Sequence, residues 1–368
     1  MDTGLHESCV VLVTGGAGFL GQHIISLLQT RARHVNEIRM LDVKPYVNNL
    51  GHKEAAPVRQ YLGSLTDELL VGEACRGANC VMHVASIVDT AMFPDPVLSY
   101  NINVLGTETV IRACKAAGVR RLIYCSSCEV VSGRGDIPEG TEDNTTPFHT
   151  GHFFEPYGST KYLAEKMVLE ENCSSFRTVS LRPVIMYGEE EWRSIHRAVG
   201  NYVIKKTGTF FPTTCGGGRA EHAYVGNVAW GFVCAEHTLW REDAAAAAAS
   251  GQSYFLCDDS PRKSVMGFIS VLFEESGYKI SPVAIPRWFI LFALYATWLV
   301  LILVSLVYKN VNTAFGTAPF IMMPYTLCFR YDKATKLLGY SPIFSFEEAK
   351  RRTVNFIKTY KSSKVKQD

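Results

Sequence analysis

The chain has almost no net charge. Its 37 lysines and arginines nearly cancel 35 acids over 368 residues, leaving +2. No basic stripe marks a phosphate-backbone partner, so nothing points to nucleic acid. The eleven cysteines are odd in number and unpatterned in spacing, which argues against a disulfide framework and predicts reduced thiols. Cys125 and Cys128 have CxxC spacing, but no second pair answers them and no metal site is expected. The first eight residues lack both a basic start and a long apolar stretch, so a secretory signal is not expected there. No internal repeat stands out.

Charge is missing altogether from one place. Between Arg287 and Lys309 lie twenty-one uncharged residues, rich in Leu, Val, Trp and Tyr. As a helix rising about 1.5 Å per residue, this run matches the thickness of a bilayer's hydrocarbon core. The chain opens, by contrast, on a soluble-enzyme pattern, Thr14-Gly15-Gly16-Ala17-Gly18-Phe19-Leu20-Gly21, straight after the apolar run 10–13. A nucleotide-binding enzyme with a membrane segment near its far end implies a substrate that itself lives in membranes.

Residues 10–13, 37–41, 58–62, 80–84, 122–125 and 179–181 read as strands, because they are short, apolar and rich in β-branched side chains. Helical patterns lie between them, as at 97–117 and 157–171. Repeated β-α units predict an α/β fold with a doubly wound parallel sheet. Beyond residue 190 the spacing predicts helices at 194–207 and 225–239, a loop or frayed helix end over the alanine run 244–249, and a strand at 254–257. Asp258-Asp259-Ser260-Pro261 reads as a helix entry. An apolar stretch, 315–329, is broken by Pro319 and Pro324, and a polar helix follows at 346–360. These divisions suggest a nucleotide-binding domain over 1–190, a substrate lobe over 191–286, a membrane-associated segment over 287–329 and a tail, 330–368, that packs back on the lobe.

Gly15, Gly18 and Gly21 allow a tight turn and a close approach of backbone to a pyrophosphate. The helix that follows offers free N–H groups and its positive dipole end, so Gly15, Gly18, Phe19, Leu20 and Gly21 are candidate cofactor residues. Asp42 ends the second strand, where a carboxylate accepts the adenosine ribose hydroxyls and repels a 2′-phosphate. It predicts NAD rather than NADP, with Lys44 nearby as the opposing influence. Tyr157 and Lys161, four apart, project from one helical face. The lysine and a cationic nicotinamide are expected to lower the phenol's pKa, so that Tyr157 takes a proton from an alcohol as hydride leaves the carbon. Ser126 and Ser127 follow a strand end and are the candidate hydroxyls for the substrate oxygen.

With these motifs on the page, the chain resembles the extended short-chain dehydrogenase/reductases, whose fold is Rossmann-like. The likeness rests on the glycine turn, Asp42, His83-Val84-Ala85-Ser86, Asn103-Val104-Leu105-Gly106-Thr107, Tyr124-Cys125-Ser126-Ser127, Tyr157 with Lys161, and Leu181-Arg182-Pro183. It implies that Ala85 and Pro183 border the cofactor, that Lys161 also holds the nicotinamide ribose, and that Asn103 supports the fold nearby. Ser64 stands where that family usually has an acid near the adenine.

More narrowly, Ser126-Ser127-Cys128-Glu129-Val130, Tyr224-Val225-Gly226-Asn227-Val228-Ala229-Trp230 and Tyr254-Phe255-Leu256-Cys257-Asp258-Asp259-Ser260-Pro261 are similar to the 3β-hydroxysteroid dehydrogenase/Δ5-4-isomerase family. Glu189-Glu190-Glu191 departs from that family's glycine-rich continuation. The resemblance implies NAD-dependent oxidation of a steroid or sterol 3β-hydroxyl. A double-bond shift would use Asp258 or Asp259 with Tyr254, against a plain helix-cap role for the acids. Competing expectations are a sterol-4α-carboxylate 3-dehydrogenase, which releases CO₂, and a non-catalytic NAD-sensing regulator on the same fold. The expected setting is the endoplasmic reticulum membrane, or a mitochondrial one, with the catalytic part facing the cytosol. Membrane lipid is the expected partner, and the resemblance leaves the oligomeric state open between a monomer and a homodimer paired through the four-helix interface this fold often uses.

Overall fold

The computed structural model describes residues 9–133, 135–191, 207–241, 243–308, 312–313 and 316–365. Seven parallel strands make one sheet: β1 Cys9–Thr14, β2 Val35–Asp42, β3 Val58–Leu62, β4 Cys80–His83, β5 Arg121–Cys125, β6 Arg177–Pro183 and β7 Gln252–Leu256. Their order is β7-β6-β5-β4-β1-β2-β3. The winding reverses at β1, which lies between β2 and β4. A crevice therefore opens at the carboxyl ends of β1 and β4, where ligands bind in sheets of this kind.

Strand residues alternate between two apolar layers. Val11, Val13, Met82 and Ile123 join a core with Ile24 and Leu28 of helix α1 (Phe19–Arg31) and Val228 and Phe232 of helix α5 (Val225–Trp240). Leu12, Val81 and Leu122 point the other way. There they meet α2 (Glu68–Cys75), α3 (Gly106–Ala117) and α4 (Tyr157–Glu170). Burial on both faces is why these strands read as continuous apolar runs.

Several details differ from the sequence expectations. The alanine run is a helix, Ala244–Ala249, because the Asp243 carboxylate accepts the Ala246 N–H at 2.9 Å and caps it. The helix expected to enter at Asp258 instead starts later, as α6 (Val265–Glu275), with Ser264 as its cap. The helix expected over 97–117 carries a π-helical turn at Asn101–Leu105. The one expected at 194–207 lies, but for its last residue, outside the described residues. β7 comes from the span that the sequence assigns to the substrate lobe, yet it completes the main sheet. Glu190 adopts a left-handed φ of 65°, the conformation the missing glycine would favour.

The lobe adds short parallel pairs, Ile185–Tyr187 with His222–Tyr224 and Thr209–Phe210 with Lys279–Ile280. The tail strand Leu327–Phe329 pairs with Ile137–Gly140, which follows β5. The Asn227 carboxamide oxygen accepts the N–H groups of Ile343 and Phe344 at 3.0 and 2.9 Å, tying the tail to α5 ahead of α8 (Phe346–Val365). Helix α7 (Arg287–Ser305) is different: its 19 residues include no buried one. By length and composition it is the one helix among the described residues apolar enough to cross a membrane.

Candidate active site

The turn after β1 is built for an approaching anion. Gly15 has φ +71°, and a Cβ there would lie 2.8 Å from the Ala85 backbone, so Ala85 closes on the turn directly. At Gly21 a Cβ would meet the Gly15 carbonyl oxygen at 2.1 Å, which lets helix α1 start tight against the strand. The first α1 bond runs from the Gln22 N–H to Gly18. Among the described residues, nothing accepts the N–H groups of Phe19, Leu20 and Gly21, and no side chain caps the helix. Free donors at a helix N-terminus fit a pyrophosphate. Beside them, the two oxygens of the Asp42 carboxylate accept the Ala17 and Lys44 N–H groups, each at 3.1 Å. Each keeps a lone pair for a ribose hydroxyl.

Beneath this turn lies a fully specified network. The Thr107 hydroxyl donates to the Asn103 carbonyl at 2.7 Å, so its oxygen accepts from His83 Nε2 at 2.9 Å. His83 Nδ1 therefore accepts from the Thr14 hydroxyl at 2.7 Å. The Thr14 oxygen in turn accepts the N–H groups of Val84 and Ala85. Burial pushes the His83 pKa down to about 3, so the ring is neutral and the bond directions are fixed. His83 is thus a positioning residue for the Gly15–Ala85 contact. Asn103 works alike: its side chain exchanges two hydrogen bonds with Ile87 and donates to Thr160 Oγ1 at 3.0 Å, between Tyr157 and Lys161.

The catalytic candidates converge at the end of β5. Lys161 is 1% exposed, and its Nζ donates to the Cys125 carbonyl at 2.5 Å, over the Tyr124 ring. Burial lowers its pKa to about 8. The Ser127 hydroxyl accepts the Glu129 N–H at 3.1 Å and interacts with the Tyr157 phenol. Ser126 turns the other way: its N–H donates to Leu181, and its hydroxyl is buried without a protein partner. Of the two serines, Ser127 is the one beside Tyr157. Pro183 is buried at the carboxyl end of β6, next to these residues.

The phenol departs from the sequence expectation. Loss of water pushes the Tyr157 pKa up, and the Ser127 contact only partly reverses this. Lys161 is occupied by Cys125 and does not offset the burial, so in the protein alone Tyr157 is a neutral phenol. Glu129, beside it, is also neutral near pH 7, because burial raises its carboxyl to about 8 against the Phe154 N–H that it accepts. Sequence reasoning passed over Glu129 and over Glu165. The latter stands four residues after Lys161 and forms a buried two-bond ion pair with Arg182, at 2.9 and 2.6 Å. Its helical spacing from Lys161 was the available signal.

The three isomerase candidates have partners elsewhere. Asp258 accepts the Tyr224 and Ser260 N–H groups and the Asn227 amide. Asp259 accepts the Tyr331 hydroxyl at 2.8 Å, and the Tyr254 hydroxyl donates to Ala249. At the opposite, amino-terminal ends of the strands Cys9, His34 and Glu236 bring ligand-type atoms within 4.8 Å of one another. His34 already bonds the Glu236 carboxylate at 3.0 Å, as an ion pair when protonated.

A tyrosine–lysine helix beside a serine-bearing strand end, with one strand between it and a glycine turn, is the arrangement of the extended short-chain dehydrogenase/reductases, and the chain is of that class. Residues 12–287 match the 3-beta hydroxysteroid dehydrogenase/isomerase family, to which the chain belongs. It is 34% identical to human 3 beta-hydroxysteroid dehydrogenase type 7, with 97% of each chain covered. The mouse protein of the same name is 32% identical, over 98% of this chain and 99% of that one. Similar solved structures include the epimerase Mth375 of Methanothermobacter thermautotrophicus, with TM-score 0.69, 21% identity and coverage of 99% and 96%. Another is Thermus thermophilus UDP-glucose 4-epimerase in complex with NAD, with TM-score 0.65, 22% identity and coverage of 95% and 99%. At those identities the likeness concerns the fold.

Proposed function

We propose that the protein is an NAD-dependent dehydrogenase that oxidises the 3β-hydroxyl of a Δ5-steroid or sterol to the 3-ketone, followed by a shift of the double bond from the 5,6 to the 4,5 position. The observation that carries this reading is the meeting of Ser127, Tyr157 and Lys161 at one strand end, in a chain of this family. Gly15, Gly18, Phe19, Leu20, Gly21, Asp42, Ala85, Lys161 and Pro183 are the residues that would hold the cofactor. NAD, when bound, supplies the hydride acceptor. Ser127 orients the substrate oxygen, and Tyr157 receives the hydroxyl proton as the C–H bond breaks. Lys161, which in the protein alone bonds the Cys125 carbonyl, would hold the nicotinamide ribose and turn its positive charge toward the phenolate as it forms.

The double-bond shift requires a group that carries a proton across the ring. Asp258 is our candidate, because burial pushes its carboxyl up and it stands just past the end of β7. The test is a sterol panel with NAD⁺ in which NADH and the conjugated enone are followed separately. NADH without enone removes the isomerase half, release of CO₂ redirects the reading to a 4α-carboxylate sterol, and no NADH from any sterol refutes it.

We further propose that the protein sits on the cytosolic face of the endoplasmic reticulum through α7, without crossing the bilayer. Both ends of this segment are held by the catalytic body. The Arg287 N–H donates to Thr214 at 2.9 Å, and past the helix Asn312 bonds Phe93. A 19-residue helix is about 28 Å long. The seven steps from Ser305 to Asn312 reach at most about 25 Å when fully extended. A return strand stretched through lipid would also leave its N–H and C=O groups unpaired. An in-plane helix avoids both difficulties.

A further inference from the structure

We propose that the substrate cleft opens onto the phospholipid leaflet itself, so that an apolar substrate passes from lipid to Tyr157 between the 90–93 loop and Tyr325. This rests on the sterol reading above and names the partner surface that the reading leaves open.

Three observations carry it. First, the apolar surface does not stop at α7. Trp288 and Phe292 are 69% and 67% exposed, and Phe211, Val283, Ile321 and Tyr325 continue the exposed apolar rim on the catalytic body around the helix base. The Arg287 guanidinium donates to the Phe320 carbonyl at 3.3 Å, which holds the short helix Ala318–Met322 against that base. Exposed apolar side chains on the body as well as on the helix fit a leaflet, whereas a helix serving only as a tether would leave the body polar.

Second, the chain returning from α7 grips the loop after β4. Asn312 accepts the Phe93 N–H at 3.0 Å and donates to the Phe93 carbonyl at 2.7 Å. The Gly316 N–H donates to the Thr90 carbonyl at 2.7 Å. A Cβ at Gly316 would lie 2.6 Å from the Ala91 carbonyl oxygen, so this approach excludes a side chain. The same loop reaches the catalytic helix through Ile87, Asn103 and Thr160.

Third, the chain returning from α7 touches the other flank of the catalytic helix α4 as well. The Tyr325 ring lies 4.9 Å from that of Phe153, four residues ahead of Tyr157. The two loops that flank the start of the catalytic helix are therefore both held by residues that return from the lipid-facing segment. The proposed route runs between them, from the apolar side chains to the phenol.

The experiment uses the full-length protein with one sterol delivered two ways: dissolved in phosphatidylcholine vesicles, or carried by cyclodextrin in water. Phe292→Glu with Leu299→Glu puts two charges on the lipid face, far from the catalytic groups. Vesicle-fed turnover should fall by about tenfold or more, since charge is expelled from lipid, while cyclodextrin-fed turnover stays within about twofold and reports an intact fold. Asn312→Ala should raise the KM for vesicle-fed sterol, with vesicle binding unchanged in flotation. Brominated lipid should quench Trp288 and Trp298. Equal losses from both carriers, no loss from either, or absent quenching overturns the proposal. A wild-type protein active from cyclodextrin but indifferent to the leaflet overturns the path alone. One silent on sterol from both carriers overturns the sterol reading with it.

Discussion

The Tyr157 phenol is kept protonated by its surroundings, and this sets how the protein should respond to pH. A raised pKa makes the phenolate scarce near neutrality. Alcohol oxidation needs that phenolate, so it should quicken with pH, approaching about tenfold per unit where this ionisation limits the rate. Ketone reduction, which needs the phenol, should stay nearly level over the same range, because almost every molecule already carries that proton. Rates measured in both directions check the contrast. Tyr157→Phe removes the proton carrier and should lower turnover by about 10²–10⁴-fold while NAD still binds. A variant retaining more than about a tenth of the activity would refute the assignment of Tyr157 as base. Asp42 is the residue proposed to select the cofactor. Its carboxylate bonds to hydroxyls are charge-assisted, so Asp42→Ala should cut the NAD-over-NADP ratio of kcat/KM by about tenfold or more. A wild-type ratio near one would mean that Lys44, not Asp42, governs the ribose pocket.

Among the elements, α4 is fixed to β6 by an ion pair with side chains only 3% and 4% exposed. Removing one partner strands the other charge in the core, so Glu165→Leu should cost about 3–5 kcal/mol in denaturant unfolding. Replacing both residues with apolar ones should recover much of that loss. A second pair links α5 to the turn before β2. The hydrogen bond that the His34 ring donates to the Glu236 carboxylate raises the His34 pKa above its ordinary 6.5. Its contribution is therefore complete below that value and is lost as pH rises through the folded pKa. Melting temperature should decline over this range in the wild type, and less so in His34→Gln.

How much of this could be read in the sequence depends on the element. Strands covered on both faces announced themselves by apolar composition, and the glycine turn and the Tyr157–Lys161 spacing are local patterns. The choice of Ser127 over Ser126 was not legible, because it depends on which hydroxyl the bend after β5 turns toward α4. Nor was the place of β7, since its pairing with β6 joins residues more than seventy positions apart. The alanine run misled because its cap, Asp243, is a single residue set against a low-complexity stretch.

For the whole molecule, the membrane-associated reading makes a topological prediction. Leu327–Phe329 pairs with Ile137–Gly140, so the tail and the catalytic body share one side of any bilayer. In sealed microsomes a tag at the C-terminus should be cut by added protease as readily as one at the N-terminus. The sequons at Asn144 and Asn172 should carry no glycan. A protected C-terminal tag beside an exposed N-terminal one would establish a single span and defeat the in-plane model.

The pairing of residues near 140 with residues near 328 also has a consequence in time. A chain is made from its N-terminus, and early domains usually fold as they emerge. Here the body cannot close early, because β7, α5 and the 327–329 strand all come late. The lipid-seeking helix is synthesised before the last of its partners, so it is available for membrane capture while the enzyme is still open. Assembly at the membrane would then precede completion of the active body. Released chains ending near residue 320 should bind membranes yet fail to hold NAD.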